Sequence, residues 1–269
     1  MSTLKDLLHT YENADALSVP GMLPFLPGGE TAGKIFLHAT IGSTSDTAKE
    51  MAVTGAEHGT IVIAEHQTAG RGRHGRSFYS PGAQGIYMSL ILSPAHLGLS
   101  LPTLVTAFAA VVVCETIETI CAKTPQIKWV NDVFLDGKKI CGILTEAVGE
   151  WVVVGIGINF STAQADLPED LRGIAGAIFS SGNPSVSRNR LAGEVISRIL
   201  AGQPDGREKL LEKYKQRLMM LGKKVLVTGA AQPYEATALD IDDTGRLIVR
   251  KDTGEVLSLN SGEISIRGV

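Results

Sequence analysis

Cysteine is scarce in this chain. Cys114, Cys121 and Cys141 are three among 269 residues, odd in number and without CxxC spacing. Such a set signals neither a disulfide framework nor a thiolate zinc site, and a reducing compartment is expected. An excess of one charge is also missing: 25 Lys and Arg face 28 Asp and Glu, for a formal charge of −3. That balance excludes broad electrostatic attraction to nucleic acid. The six histidines show no HxxxH pair, so no protein-ligated metal is expected. The longest apolar run, around Leu104–Cys114, is too short to cross a bilayer and reads as a buried helix. MSTLKDLLHTYENAD at the start lacks a basic stretch followed by an apolar core, so no signal peptide is expected. The expectation is a soluble cytoplasmic protein with neither membrane nor nucleic acid as partner.

What is present is a chain that can bury a core, with 44% hydrophobic residues. Residues 1–33 end in the Pro/Gly-rich VPGMLPFLPGGETAG and read as an irregular lead-in, too broken for a helix-turn-helix domain. From Lys34 the pattern mixes elements. KIFLH, TIVIAE and GIYMSLIL are β-rich runs, and STSDTAKEMAVTG between the first two has a capping start and a Gly stop. Ser100 and Pro102 open a long apolar helix through about Ala122. VFL and KKICGILTE flank Asp136–Gly137, a two-residue hairpin signal. WVVVGIGINF reads as a strand buried on both faces, residues 161–186 as loop and short turns, and Ser187 caps a helix to about Leu200. A last helix spans about Arg207 to Leu221. Beyond Gly222 five short strands separated by Gly, Asp and Thr turns predict a small β-barrel. The fold class is therefore α+β, with a largely antiparallel or mixed sheet over 34–221 and a small barrel over 222–269.

Gly70-Arg71-Gly72-Arg73-His74-Gly75 spells GxGxxG after a strand. The dinucleotide fingerprint needs a helix to start at that loop and an acidic residue about 20 positions on. Here SFYSPGAQGIYMSLIL turns into a strand, and no acidic residue appears before Glu115. A solvated arginine turn is the plain alternative. A ligand loop explains more, because the glycines let backbone approach a ligand. Arg71, Arg73 and Arg76 supply planar donors for carboxylate and phosphate. A second constellation is Lys128-Trp129-Val130-Asn131-Asp132, followed by Lys139-Ile140-Cys141-Gly142. The hairpin turn folds Lys139 back near Asn131 and Asp132, although an exposed hairpin with surface charges would show the same pattern. Gly142 in an apolar strand suggests close approach of a backbone or ligand. Cys141, inside that strand, reads as packing rather than as a nucleophile.

EHQTAGRGRHGRSFYSP, KWVNDVFLDGKKICGIL and VVVGIGINF, in this order and spacing, closely resemble the catalytic domain of biotin protein ligases. LGKKVLVTG through GEISIRG resembles the SH3-like C-terminal domain of the same family, so the likeness spans about 34–269. It implies the biotin/lipoate ligase catalytic fold, similar to class II aminoacyl-tRNA synthetases. It also implies an enzyme that forms biotinyl-5′-AMP from biotin and ATP, with Mg2+ carried by ATP. The biotinyl group would then pass to a lysine of a biotin carboxyl carrier domain, that of acetyl-CoA carboxylase or another biotin-dependent carboxylase. By position, Ser43, Thr44, Ser45 and Gln67 would hold the ureido ring, although Ser43–Ser45 equally suit a helix cap. Gly70 to Arg73 match the ligand loop, with Arg73 on the biotin carboxylate and adenylate phosphate, and Lys139 matches the catalytic lysine. Gly142 and Gly155 would line the slot for the apolar tail. Arg76, Phe78, Asn131, Asp132 and Asn159 would serve the nucleotide, Asp132 being the residue nearest in kind to a magnesium ligand. Phe78 stands where the family commonly has Trp, and Val130 where it has Pro. Only about 33 residues precede the catalytic pattern, so the short form without a DNA-binding domain is expected, as monomer or homodimer. The alternatives are a lipoate–protein ligase, which would carry a different Gly-rich motif, and a non-enzymatic biotin-sensing module.

Overall fold

The computed structural model describes residues 15–99, 101–180, 184–202, 205–228, 232–260 and 264–266. Ser100, the first 14 residues and the last three, and with them parts of several sequence expectations, lie outside the described residues. Seven strands build the first sheet: β1 (Ile35–Ile41), β2 (Thr60–Gln67), β3 (Gly85–Leu92), β4 (Gln126–Lys128), β5 (Asp132–Leu135), β6 (Lys138–Val148) and β7 (Trp151–Asn159). Their spatial order is β1-β2-β3-β7-β6-β5-β4. Only β1 and β2 run parallel among these pairs, joined by α1 (Thr44–Val53) as the crossover; every other pair is antiparallel.

Both faces of the sheet are covered, which is why β2, β3 and β7 read as continuous apolar runs rather than alternating ones. On one face α1 packs Ala48 and Ala52 against Val62, Ile91 and Val153. On the other lies α2 (Pro102–Cys121), apolar all round and buried along most of its length, as a core helix must be. By length and hydropathy α2 could cross a membrane, but 78% of its apolar window is buried in this fold. Next to it pack α3 (Arg188–Leu200), whose cap Ser187 accepts from Arg190 N at 3.2 Å, and α4 (Gly206–Arg217). Asp136 and Gly137 both adopt positive φ, 51° and 75°, closing the expected β5–β6 hairpin.

A second, antiparallel sheet holds β8 (Lys224–Val227), β9 (Tyr234–Ile241), β10 (Leu247–Lys251), β11 (Val256–Leu259) and β12 (Ile264–Ile266), ordered β11-β10-β9-β8-β12. These are the five strands expected of a small SH3-like unit. Val225, Ala238, Leu247 and Val249 face inward and join the core of the larger sheet.

The segment before Lys34 differs from the irregular lead-in expected of it. Residues 15–33 make three short helical turns, and Leu17 and Met22 are buried in the main core. The cause is Arg188, only 1% exposed. Its guanidinium donates to Asp15 Oδ2 at 3.1 Å, to Glu65 Oε2 at 2.6 Å and to the carbonyls of Asp15 and Gly85 at 2.6 and 3.1 Å. Asn189 adds bonds to Ser18 N at 2.8 Å and Ala16 O at 2.9 Å. Proline breaks the segment locally, but long-range polar pairing fixes it. Arg188→Ala strands two carboxylates beside a buried void, and breaking such a pair costs about 3 kcal/mol or more. Calorimetry should show Tm falling by roughly 10 °C; a shift of a degree or two would mean that the guanidinium is dispensable.

Candidate active site

The arginine loop is a small hairpin of its own. Gly72 N donates to Arg76 O at 2.7 Å, Arg76 N to Arg73 O at 3.2 Å and Phe78 N to Gly70 O at 2.9 Å. His74 and Gly75 take positive φ, 56° and 73°, at its tip, so the loop turns back on itself instead of opening a helix. The dinucleotide reading fails on this geometry, because the chain leaves the glycines for β3 and not for a helix of its own. The loop folds over a cavity of about 370 Å³ on the α1 face of the large sheet, and that cavity has three regions.

At one end is a chain of hydroxyls and one amide. Gln67 Oε1 accepts from Thr44 N at 2.8 Å and Thr44 Oγ1 at 3.1 Å, and Gln67 Nε2 donates to Ser80 Oγ at 2.9 Å. Ser89 Oγ donates to Thr44 Oγ1 at 2.9 Å. That spends the Ser89 proton, so at 3.1 Å Ser45 Oγ must be the donor to Ser89. Donors and acceptors so alternate suit a ligand group that both gives and takes hydrogen bonds. Ser43 caps α1, accepting from Asp46 N at 3.4 Å, and does not line the cavity.

The middle is floored by bare backbone. Gly142 on β6 pairs with Gly157 on β7, and Gly155 lies two residues back on the same face. A Cβ at Gly155 would stand 2.5 Å from Ser45 Oγ, and one at Gly157 would stand 2.6 Å from the Phe78 ring. Phe78, expected beside an adenine, thus lies on the glycine floor, edge-on to Tyr87 at 6.4 Å. Gly70 does not line the cavity; it packs where a Cβ would meet Phe78 O at 2.5 Å.

The far end is cationic. Lys139 Nζ lies 2.7 Å from Asp132 Oδ1, and Arg73 Nη1 donates to Asn131 Oδ1 at 3.3 Å. These four residues, with Arg71 and Arg76, line the one cavity. A bulge makes this possible. Val133 pairs with Cys141 but Phe134 with Lys139, leaving Ile140 as an extra residue in β6. Strict alternation would put residues 139 and 142 on opposite faces; the extra residue brings Lys139 to the face of Gly142. Arg71 is tied by ion pairs to Asp46 and, at 3.5 Å, to Glu146, which Lys49 also holds at 3.1 Å. Burial pushes the Asp46 carboxyl up, but bonds from Lys49 and Arg71 outweigh it and hold the pKa below the usual carboxylate value. Complete burial pushes the Cys141 thiol far up, so no thiolate is available in this strand.

Asn159 stands apart from the cavity. Its amide donates to Gly176 O at 2.9 Å, holding residues 174–178 beside Lys139, whose own N and O pair with Ile174 O and Gly176 N at 2.9 Å. Sequence reasoning did not assign Gly157 or Ser89 to the site, and it gave Lys128 and Trp129, though inside the second constellation, no role there. The alternation Gly155-Ile156-Gly157 and a serine in the apolar run GIYMSLIL were the available signals. Ile264, reaching the cavity from the second sheet, had none. Among the described residues no three His, Cys, Asp or Glu side chains cluster as a metal site.

A glycine-floored slot that ends in converging cations suits a small ligand carrying an anionic group, and comparison with known proteins gives the class, that of the biotin and lipoate ligases. The Biotin/lipoate A/B protein ligase family matches residues 37–161, and the Biotin protein ligase C terminal domain matches 220–267. The chain is 33% identical over 244 residues to the bifunctional ligase/repressor BirA of Bacillus subtilis, covering 86% of this chain and 74% of that protein. It is 31% identical over 234 residues to the biotin–[acetyl-CoA-carboxylase] ligase of Mycobacterium tuberculosis, covering 84% and 86%. The structure of the Aquifex aeolicus biotin protein ligase in complex with biotin and ATP superposes with a TM-score of 0.75 at 26% identity, over 87% of this chain and 98% of that one. The chain belongs to the biotin protein ligase family.

The slot can be probed directly. Gly155→Ala drives a methyl against Ser45 Oγ and so disturbs the hydroxyl chain. Isothermal titration should show biotin binding weakened tenfold or more, about 1.4 kcal/mol. Unchanged affinity would remove Gly155 from the slot.

Proposed function

We propose that this chain joins biotin to ATP as biotinyl-5′-AMP and then passes the biotinyl group to one lysine of a biotin carboxyl carrier domain. The observation that carries the reading is that Arg73 and Lys139, 66 positions apart in sequence, line the same cavity as the glycine floor and the Thr44–Gln67 network. In this reading the hydroxyl chain, with Ser43 fixing its helix start, holds the ureido ring. Gly142 and Gly155 admit the apolar tail, and Gly70 to Arg73 fold over it. The carboxylate is then presented at the cationic end, where Arg76, Asn131 and Asp132 meet the nucleotide. Asn159 acts there by holding the loop beside Lys139.

A carboxylate oxygen attacks the α-phosphorus of ATP, the bond to the bridging oxygen breaks, and pyrophosphate leaves. Two anions must meet, and Arg73 and Lys139 stabilise the charge that builds up as they do. Magnesium arrives on the ATP phosphates as part of the substrate and neutralises them; Asp132 is the carboxylate on the cavity wall that could face it. The carrier lysine amine next attacks the anhydride carbonyl, AMP leaves, and the amine proton passes to Asp132. No protein nucleophile is needed, which agrees with a Cys141 thiol held protonated. The division into a catalytic part over 34–221 and an SH3-like part over 222–269, the carboxylase carrier as partner, and a cytoplasmic setting where ATP is supplied complete the reading.

Lys139→Ala is expected to keep its fold and lose adenylate formation by about 100-fold to 1,000-fold, the loss typical of one removed charge-stabilising donor. Pyrophosphate release in single turnover reads it, and a near-normal rate would strike Lys139 from the mechanism. Arg73→Gly should release its adenylate and biotinylate stray lysines. Retention of labelled adenylate equal to the parent would refute that role. Lipoate is the competing substrate: with ATP present, biotin at 100 Kd should raise stability by about 2.7 kcal/mol and lipoate should not. A shift with lipoate alone would favour the other branch of the family.

A further inference from the structure

We infer that the Asp242–Arg246 turn of the second sheet is a positioning element for adenylation, acting through the indole of Trp129. The inference deepens the proposed ligase function and rests on it. Trp129 lines the cavity and is 3% exposed. Its Nε1 has one acceptor, Gly245 O, at 2.9 Å across 116 positions of sequence, and the bond is buried.

The residues after Trp129 carry the partners of both cations. Asn131 takes Arg73 and Asp132 takes Lys139. The backbone between is held from two further sides. Tyr214 donates to Val130 O at 2.8 Å from α4, and Asn131 exchanges bonds of 2.9 Å with Ile143 on β6. Trp129 is the third anchor of this segment and the one made by the second sheet. Tilting the indole would swing the two side chains that aim the guanidinium and the ammonium.

The turn is built to stay still. Asp242 Oδ1 accepts from Thr244 N at 2.9 Å, Thr244 Oγ1 at 2.7 Å and Arg246 N at 3.0 Å, and its Oδ2 accepts from Ser258 Oγ at 3.0 Å. Thr244 O receives Thr103 Oγ1 at 2.9 Å, from the first turn of α2. Two consecutive carbonyls, of Thr244 and Gly245, are thus presented to α2 and to the β4–β5 connection by a turn that one carboxylate braces from behind. A turn needed only to join β9 to β10 would require neither contact.

The test compares Trp129→Phe, which keeps a ring and removes the N–H, with Asp242→Ala, which unbraces the turn outside the cavity, and with the double variant. Each single change should slow single-turnover adenylation five- to twentyfold while biotin Kd moves less than threefold. The double variant should be no slower than the slower single one, since both act through the same bond. In a Trp151→Phe background, Trp129 emission should shift in Asp242→Ala. A parental rate in either single variant, or losses that multiply in the double, overturns the inference. If the parent itself makes no biotinyl-adenylate, it is the ligase function that has failed, not the coupling.

Discussion

One extra residue in one strand sets the geometry on which the site depends. A regular β6 would carry Lys139 to the face opposite Gly142, among the apolar side chains packed under α2. The bulge at Ile140 turns it to the cavity instead, within 3.3 Å of where a Gly142 Cβ would stand and 2.7 Å from Asp132. An ammonium forced into that apolar layer would have no partner and would be desolvated at high cost. On the cavity side it has a carboxylate partner and room for an anion. The ion pair with Asp132 keeps it oriented until a stronger anion arrives.

The rest of the cavity follows from the same economy of small residues. Glycines on adjacent strands at paired positions remove side chains where a ligand must lie, and Phe78 and Ser45 close on the space from two sides. The covered sheet lets those strands be apolar on the far face, so the slot needs no structural help from its own residues. Two layers cover the sheet, α1 on one side and α2 on the other, and three glycines share the floor between β6 and β7.

Much of this was legible in the residues. Local rules located the hairpin at Asp136–Gly137, the cap at Ser187, the apolar helix from Pro102 and the strands of the second sheet, because each depends on neighbours within a turn or two. The arginine loop and the Lys139 strand could be recognised as ligand-bearing for the same reason. What could not be read depends on distant pairing. Nothing local shows that Arg188 reaches Asp15 and Glu65 and so folds the proline-broken segment into the core. Nothing local shows a bulge at Ile140, the turn of the Phe78 ring onto Gly157, or the arrival of Ile264 at the cavity wall. Resemblance groups Asn159 with the nucleotide side, and nothing local shows that one of its amide N–H groups donates to Gly176 O.

The three cysteines have a practical corollary. Cys114, Cys121 and Cys141 are all buried; desolvation carries the first and last far above the ordinary thiol range and Cys121 to about 11. In the native state the chain therefore offers maleimides and iodoacetamides almost nothing to attack. A cysteine engineered at the tip of the arginine loop, in place of His74, would be the sole fast-reacting thiol. A fluorophore or spin label placed there would report loop closure against a silent background.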